Sequence, residues 1–398
     1  MKRILYILLI MILSLSLVQT LFPFSTGKEL NGYAAASQNK PSLTLRAWLN
    51  GDYQSKMQQY LNDSCGFHND FIRLRNQIYY SCFNICPNET VIMGKENFLY
   101  HMGYIDAVNG INYLGEDSIY RKVQVIKRLQ DTLAKRGQRM IIIFAPGKGS
   151  FYPEFIPDRY LKMQQPHTNH ATYIEACKHY NVENIDLLSW FVAMKDTATY
   201  PLFPKTGVHW SRYSQMFVID SLIKYFTAGT YCNNSFKITS LNPKDKAEGN
   251  DLDCENTLNL IRRMKTNTPL AYPEYEMIID SNYHRLKTIV VSDSYYWQIF
   301  HDISNTLFKE GEYWYYYHEI NYTDSLRRYN MPLSIDSVSR FDELKSADLI
   351  IVMASDCNLR YLGGDYMNNG YGIIEDLNKH FFGENNPSKH SKQITNGI

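Results

Sequence analysis

Three short apolar runs constrain the fold more than anything else in the chain: "RMIIIFAP" (Arg139 to Pro146), "KTIVVSD" (Lys287 to Asp293) and "ADLIIVMASD" (Ala347 to Asp356). A strand with one wet face alternates apolar and polar residues, whereas an unbroken apolar run marks a strand covered on both faces. Helical patterns lie between and around these runs. Lys122 to Lys135 is amphipathic and closes at Gly137, "YIEACKHY" (Tyr173 to Tyr180) is helical, and so is Tyr213 to Phe226. "VENID" (Val182 to Asp186) is a further candidate strand. Strands alternating with helices predict an α/β domain of three layers, α/β/α, with a mostly parallel sheet. Chemistry in such sheets sits just beyond the carboxyl ends of the strands. Three unusual clusters fall there: "APGKGSFYPE", "SDSYYW" and "ASDCNLRYLGGDY".

The N-terminus belongs to a different regime. Lys2 and Arg3 precede about 19 mostly apolar residues, Ile4 to Phe22, near the length that crosses a bilayer. This reads as an uncleaved signal anchor over 1–24, basic end in the cytoplasm and body exported, with a cleaved signal as the alternative. Both readings put the main domain outside the cytoplasm. Residues 25–42 read as a polar linker, and 43–86 as a helical juxtamembrane region with Phe71, Leu74 and Ile78 at helical spacing. The α/β domain is expected over 87–383 and a polar tail over 384–398. A net charge of +1 gives no bulk electrostatic case for nucleic acid. Seven cysteines in an exported body allow some pairing and leave at least one over.

Several residues have the chemistry for a site. Ser294 stands two residues beyond a buried strand and ahead of a probable helix, "YYWQIFHDI". It reads either as a nucleophile presented to a cleft or as a helix N-cap. His209, in "FPKTGVHWSRYSQ", precedes the Tyr213 helix and is a candidate base or a structural histidine. A serine becomes a nucleophile when a base lies in reach, and that base is best oriented by a carboxylate. "APGKGS" is not a phosphate loop, because Gly149 follows Lys148 and Pro153 and Pro157 oppose the long helix. His167 and His170 read as surface histidines. "EYWYYYHEINY" (Glu312 to Tyr322) reads as a half-buried strand or as a ring surface for sugars. No metal and no cofactor is indicated.

The motifs "TGVHWS" and "SDSY" together resemble the SGNH-hydrolase-like domains of bacterial polysaccharide O-acetyltransferases, the alginate type. In that family an Asp-x-His-Trp motif precedes the nucleophile motif. "GKENFLY", "APGKGSFYPEFIP" and "NDLDCENTLNL" resemble further family segments in family order, and the likeness runs from Val91 to Tyr366. The resemblance implies a serine acetyl-enzyme, with Ser294 as nucleophile, His209 as base and Lys148 matching a family lysine. It also implies a periplasmic main domain behind a single N-terminal anchor in the cell inner membrane, an exported polysaccharide acceptor and a multi-pass membrane acyltransferase partner. Two positions depart from the pattern: the family's aspartate is Gly207, and the glycine of its nucleophile motif is Ser292. Asp293 and Asp186 are the candidate supporting acids. Lys148, Trp210, Tyr295, Tyr296 and Asn358 are expected to bind substrate or the oxyanion. The alternatives are a glycan acetyl-esterase of the same fold and a catalytically silent glycan-binding or scaffold subunit.

Overall fold

The computed structural model describes residues 2–25, 27–32, 39–228, 234–266, 268–322, 332–364 and 371–383. Cys232, Tyr366 and the expected polar tail lie outside them. The chain forms two compact units, one of Met1–Val91 with Asp253–Met264, the other of Ile92–Leu252 with Lys265–Ile398.

The first unit is helical. Lys2–Leu21 is one apolar helix, long enough to cross a membrane by length and composition. The region read as juxtamembrane holds helices Leu45–Leu49, Asp52–Ser64 and His68–Phe83. The apolar helix passes directly over Gly66, where a Cβ would come within 2.4 Å of the Ser16 carbonyl oxygen. The Gly66 N–H donates to Thr20 Oγ1 at 2.7 Å.

The second unit is built on a seven-stranded sheet among the described residues. Its strands in chain order are β1 (Arg139–Ala145), β2 (Asn184–Asp186), β3 (Lys287–Ser292), β4 (Glu310–Tyr315), β5 (Glu319–Tyr322), β6 (Leu333–Ser334) and β7 (Leu349–Ser355). Across the sheet the order is β6-β5-β4-β3-β7-β1-β2. The pairs β4–β3, β3–β7, β7–β1 and β1–β2 are parallel, and β4–β5 and β5–β6 are antiparallel.

The apolar runs alternate their faces despite their unbroken hydrophobicity. Ile141, Ile143, Val290, Ile351 and Met353 face one core, with Met216, Ile219, Phe300 and Ile303 from the helices over it. Ile142, Phe144, Ile289, Val291, Ile350 and Val352 face the other, against Ile119, Val123, Ile126 and Leu377. That is the three-layer arrangement expected, because period-two side chains supply both cores from the same strands. Each such side chain contributes roughly 1.5–3 kcal/mol on burial, so strand register is firmly set.

The Glu312–Tyr322 stretch forms two strands where a single one was the expectation. Tyr316 and Tyr317 turn the chain with φ of 50° and 55°, and the His318 N–H closes the turn onto the Tyr315 carbonyl at 3.0 Å. Tyr315 pairs with Glu319, so the loop holds three residues, two of them with the positive φ that Asn and Gly usually supply in hairpin turns. Two tyrosines there strain the backbone by roughly 1–3 kcal/mol each.

Candidate active site

The carboxyl ends of β1, β3, β4 and β7 share one edge of the sheet. Register fixes this: Ser292 pairs with Met353 on one side and with Tyr315 on the other, and Ser355 pairs with Ala145. The polypeptide leaving β3 at that edge makes the turn that carries Ser294, and helix Trp297–Leu307 follows.

The turn is fastened through Asp293. One carboxylate oxygen, Oδ2, accepts from the Ser355 N–H at 2.8 Å, the Ser355 hydroxyl at 2.6 Å and Asn358 Nδ2 at 2.8 Å. Its Oδ1 accepts from the Tyr295 N–H at 3.1 Å. The Tyr313 hydroxyl donates to the Asp293 carbonyl at 2.5 Å. Asp293 is therefore the fastening of the Ser294 turn to β7. Ser294 does not cap the helix, whose N-cap residue is Tyr296 with no side-chain cap bond. Its hydroxyl is free to point elsewhere, and Ser294 Oγ lies 2.8 Å from His209 Nε2.

His209 arrives on the loop ahead of helix Arg212–Thr227. This loop is held at several points. Ser211 caps the helix by accepting from the Ser214 N–H, and its hydroxyl donates to the Pro201 carbonyl at 2.7 Å. The Thr206 hydroxyl donates to the Asp251 carbonyl at 2.6 Å. Lys148 is fully buried, and its ammonium donates to the carbonyls of Pro204 (2.6 Å), Lys205 (3.0 Å) and Gly207 (2.7 Å). Three carbonyl dipoles converging on one cation give the loop a fixed path at the residue where the family motif has its aspartate.

The structure thus brings Ser294 and His209 together and places the other expected site residues differently. Asp186 accepts from His170 Nε2 at 2.9 Å and from the Ser189 N–H and hydroxyl, so this carboxylate serves His170. The same bond corrects the reading of His170 as a surface histidine. Lys148 reaches no cleft; it shapes the loop. Trp210 is buried and meets Tyr295 edge to face, ring centroids 5.0 Å apart. Tyr295 is buried too, its ring 4.8 Å from that of His209 and its hydroxyl donating to the Val208 carbonyl at 3.1 Å. Burial pushes the Tyr295 phenol well above its ordinary value, so it stays a neutral donor behind the histidine. Tyr296 is buried and its hydroxyl meets Ser304 Oγ at 3.1 Å. Asn358, expected as an oxyanion donor, gives its amide to Asp293. These placements share a cause: position in sequence locates a residue at the sheet edge, while long-range partners decide which way its side chain turns.

Two further features mark this edge of the sheet. Asp356, at the end of β7, is buried and accepts from the Ser150 hydroxyl at 2.5 Å, and burial pushes its carboxyl up to about 6. The half-buried rings at the edge are Trp297, Tyr315 and Tyr316, rather than Tyr295 and Tyr296. Among the described residues, Cys65, Cys82, Cys86, Cys177 and Cys357 are free thiols.

A serine hydroxyl at hydrogen-bond distance from an imidazole, at the carboxyl edge of a mostly parallel sheet, can carry out acyl transfer. Comparison with known proteins points the same way. Residues 91–228 match the family described as the SGNH hydrolase-like domain of acetyltransferase AlgX. That match includes Lys148 and His209 and ends before Ser294. The probable alginate O-acetylase AlgJ of Pseudomonas syringae pv. tomato is 29% identical over 126 residues, which is 30% of this chain and 29% of that protein. Among solved structures, the O-acetyltransferase domain of Pseudomonas putida AlgJ aligns at 13% identity over 73% of this chain and 99% of its own, with a TM-score of 0.44. Bacillus cereus PatB1 aligns at 13% identity over 68% of this chain and 97% of its own, with a TM-score of 0.39. Superpositions this loose carry no argument, and the assignment rests on the sequence match. Through residues 91–228 the chain is similar to the SGNH hydrolase-like domain of acetyltransferase AlgX, and part of it to a probable alginate O-acetylase.

Proposed function

We propose that the protein is an O-acetyltransferase acting on an exported polysaccharide through a serine acetyl-enzyme. The observation that carries this reading is the 2.8 Å approach of Ser294 Oγ to His209 Nε2. With Nε2 unprotonated, the Ser294 hydroxyl donates to it. As Ser294 Oγ attacks the acetyl carbonyl carbon, its proton passes to Nε2, and the imidazolium then protonates the departing donor oxygen. In the second half, a sugar hydroxyl loses its proton to Nε2 while its oxygen attacks the acetyl-serine. The Ser294 oxygen leaves and recovers that proton.

The surrounding residues support this by position. Lys148 and Thr206 hold the loop of His209, Tyr295 backs its ring, and Asp293 fixes the turn of Ser294. The apolar Lys2–Leu21 helix fits a single membrane anchor with the catalytic unit on the periplasmic side. Acetyl donors are made in the cytoplasm, so a multi-pass membrane acyltransferase is the partner this arrangement calls for.

Turnover of a chromogenic acetyl ester by the full chain in detergent tests the reading. Ser294→Ala and His209→Ala should each lower turnover by at least about 10³-fold, with unchanged folding by circular dichroism. Equal turnover in all three proteins would reject the serine–histidine mechanism.

A further inference from the structure

We infer that Asp251 is the positioning residue for His209: its carboxylate accepts from the Nδ1–H and takes the place of the acid missing at Gly207. The inference rests on the acetyl-transfer reading and names the orienting group that the reading leaves open.

A histidine that takes a proton at Nε2 needs its other nitrogen held by an acceptor, which fixes the tautomer and steadies the imidazolium. His209 meets Ser294 through Nε2, so Nδ1 is the nitrogen to be held. The carboxylates already placed around this edge serve other elements. Asp293 accepts from Ser355, Asn358 and the Tyr295 N–H, Asp186 from His170, and Asp356 from Ser150, while Asp302 pairs with Arg212.

Asp251 lies in the short helix Gly249–Leu252, and its surroundings triangulate it. Thr206 Oγ1 donates to the Asp251 carbonyl at 2.6 Å, which sets the Asp251 backbone against the residue just before Gly207. Its neighbour Asn250 donates from Nδ2 to Gln298 Oε1 at 2.9 Å, in the helix that follows Ser294. Gln215 Nε2 donates to the same oxygen at 3.2 Å and to the carbonyl of Trp210, beside His209, at 3.4 Å. Asp251 is thus tied on one side to the loop of the histidine and on the other to the helix of the serine. Gly207 is buried and lacks a side chain, so a carboxylate from Asp251 can take the place that an aspartate at 207 would fill.

Electrostatics agree with this placement. Asp251 is buried, and a buried carboxylate needs donors around it. Tyr272 is one: its hydroxyl accepts from the Glu248 N–H at 2.6 Å, and burial together with the Asp251 carboxylate pushes its phenol up. A carboxylate has two oxygens and can serve a phenol and an imidazole at once. Val208, His209 and Asp251 each make further interactions of their own, as a carboxylate lodged in this loop requires. The chain order is then His209, Asp251, Ser294, with the acid after the histidine; one triad geometry is reached from several chain orders.

The test is proton NMR of the full chain in detergent with ¹⁵N-labelled histidine, run beside turnover of the chromogenic acetyl ester. An Nδ1–H held by a carboxylate gives a resonance far downfield, and His209→Ala assigns it. Wild type and Ser294→Ala should show it. Asp251→Asn and Asp251→Ala should lack it and turn over about 10³- to 10⁴-fold more slowly, with KM little changed. Asparagine keeps the Thr206 bond, which goes to the backbone, so folding by circular dichroism should hold. Gly207 has no left-handed φ, so it accepts a side chain. Adding Gly207→Asp to Asp251→Ala should return the resonance and at least about tenfold in turnover, which a merely structural role for Asp251 would not. A wild type without the resonance overturns the inference. So does a folded Asp251 variant that keeps the resonance or keeps turnover within about tenfold of wild type, or a double variant that gains neither. A resonance that depends on Asp251 while Ser294→Ala turns over like wild type would reject the acetyl-enzyme and leave this inference standing.

Discussion

Asp293 and Ser355 are joined twice, the Ser355 N–H and its hydroxyl both donating to Asp293 Oδ2, at 2.8 and 2.6 Å. This ties the turn of the nucleophile to the end of the adjacent strand. The carboxylate beside Ser294 therefore acts on geometry, holding the turn to the end of β7.

Asp293→Asn puts an N–H₂ group where donors already converge. Asp293 is buried, so the mismatch should lower stability by about 2–4 kcal/mol. Ester turnover should fall with it, because Ser294 loses its fixed turn. Denaturant unfolding and turnover measured on the same preparation check this; a variant as stable as wild type would remove Asp293 from its structural role.

Lys148→Met keeps the length and apolar stem of the side chain and deletes the three ammonium bonds to the Pro204, Lys205 and Gly207 carbonyls. The expected cost is about 3 kcal/mol, with a fall in turnover as the His209 loop loses its path. Lys148→Arg should not restore activity, since a planar fork cannot replace a point cation in a fully buried site. Turnover by the arginine variant equal to wild type would show that charge alone suffices.

Asp356 gives a pH signature. Burial raises its folded carboxyl from 3.8 to about 6, so the unfolded chain ionises first as pH rises. This group's contribution to stability is complete below the unfolded value, is lost between about pH 4 and pH 6, and stays lost above. Asp356→Asn, which still offers an oxygen to Ser150, should gain up to about 3 kcal/mol over wild type near neutral pH. The gain should vanish below about pH 4. Urea unfolding across that range reads both limits, and a gain independent of pH would contradict the assignment.

The sheet was legible because β1, β3 and β7 are covered on both faces, and such strands announce themselves as unbroken apolar runs. The helices around them were legible by period. The Tyr316–Tyr317 turn was not, since its residues contradict the turn chemistry they adopt. Ser294 and His209 were found through paired motifs, each ambiguous alone. What the sequence could not reveal is how long-range bonds distribute the polar groups. Asp186 belongs to His170, Asn358 to Asp293, and Lys148 to three carbonyls 56 to 59 residues away in sequence. Those assignments depend on which loops meet at the sheet edge, and no local pattern encodes that.

The most direct test of the central claim is mass spectrometry of the intact chain, quenched during reaction with an acetyl ester, followed by peptide mapping. Wild type should carry one acetyl group, on Ser294; Ser294→Ala should carry none, and His209→Ala should label far more slowly. Acetyl found on another residue, or Ser294→Ala labelled as fast as wild type, would contradict the account.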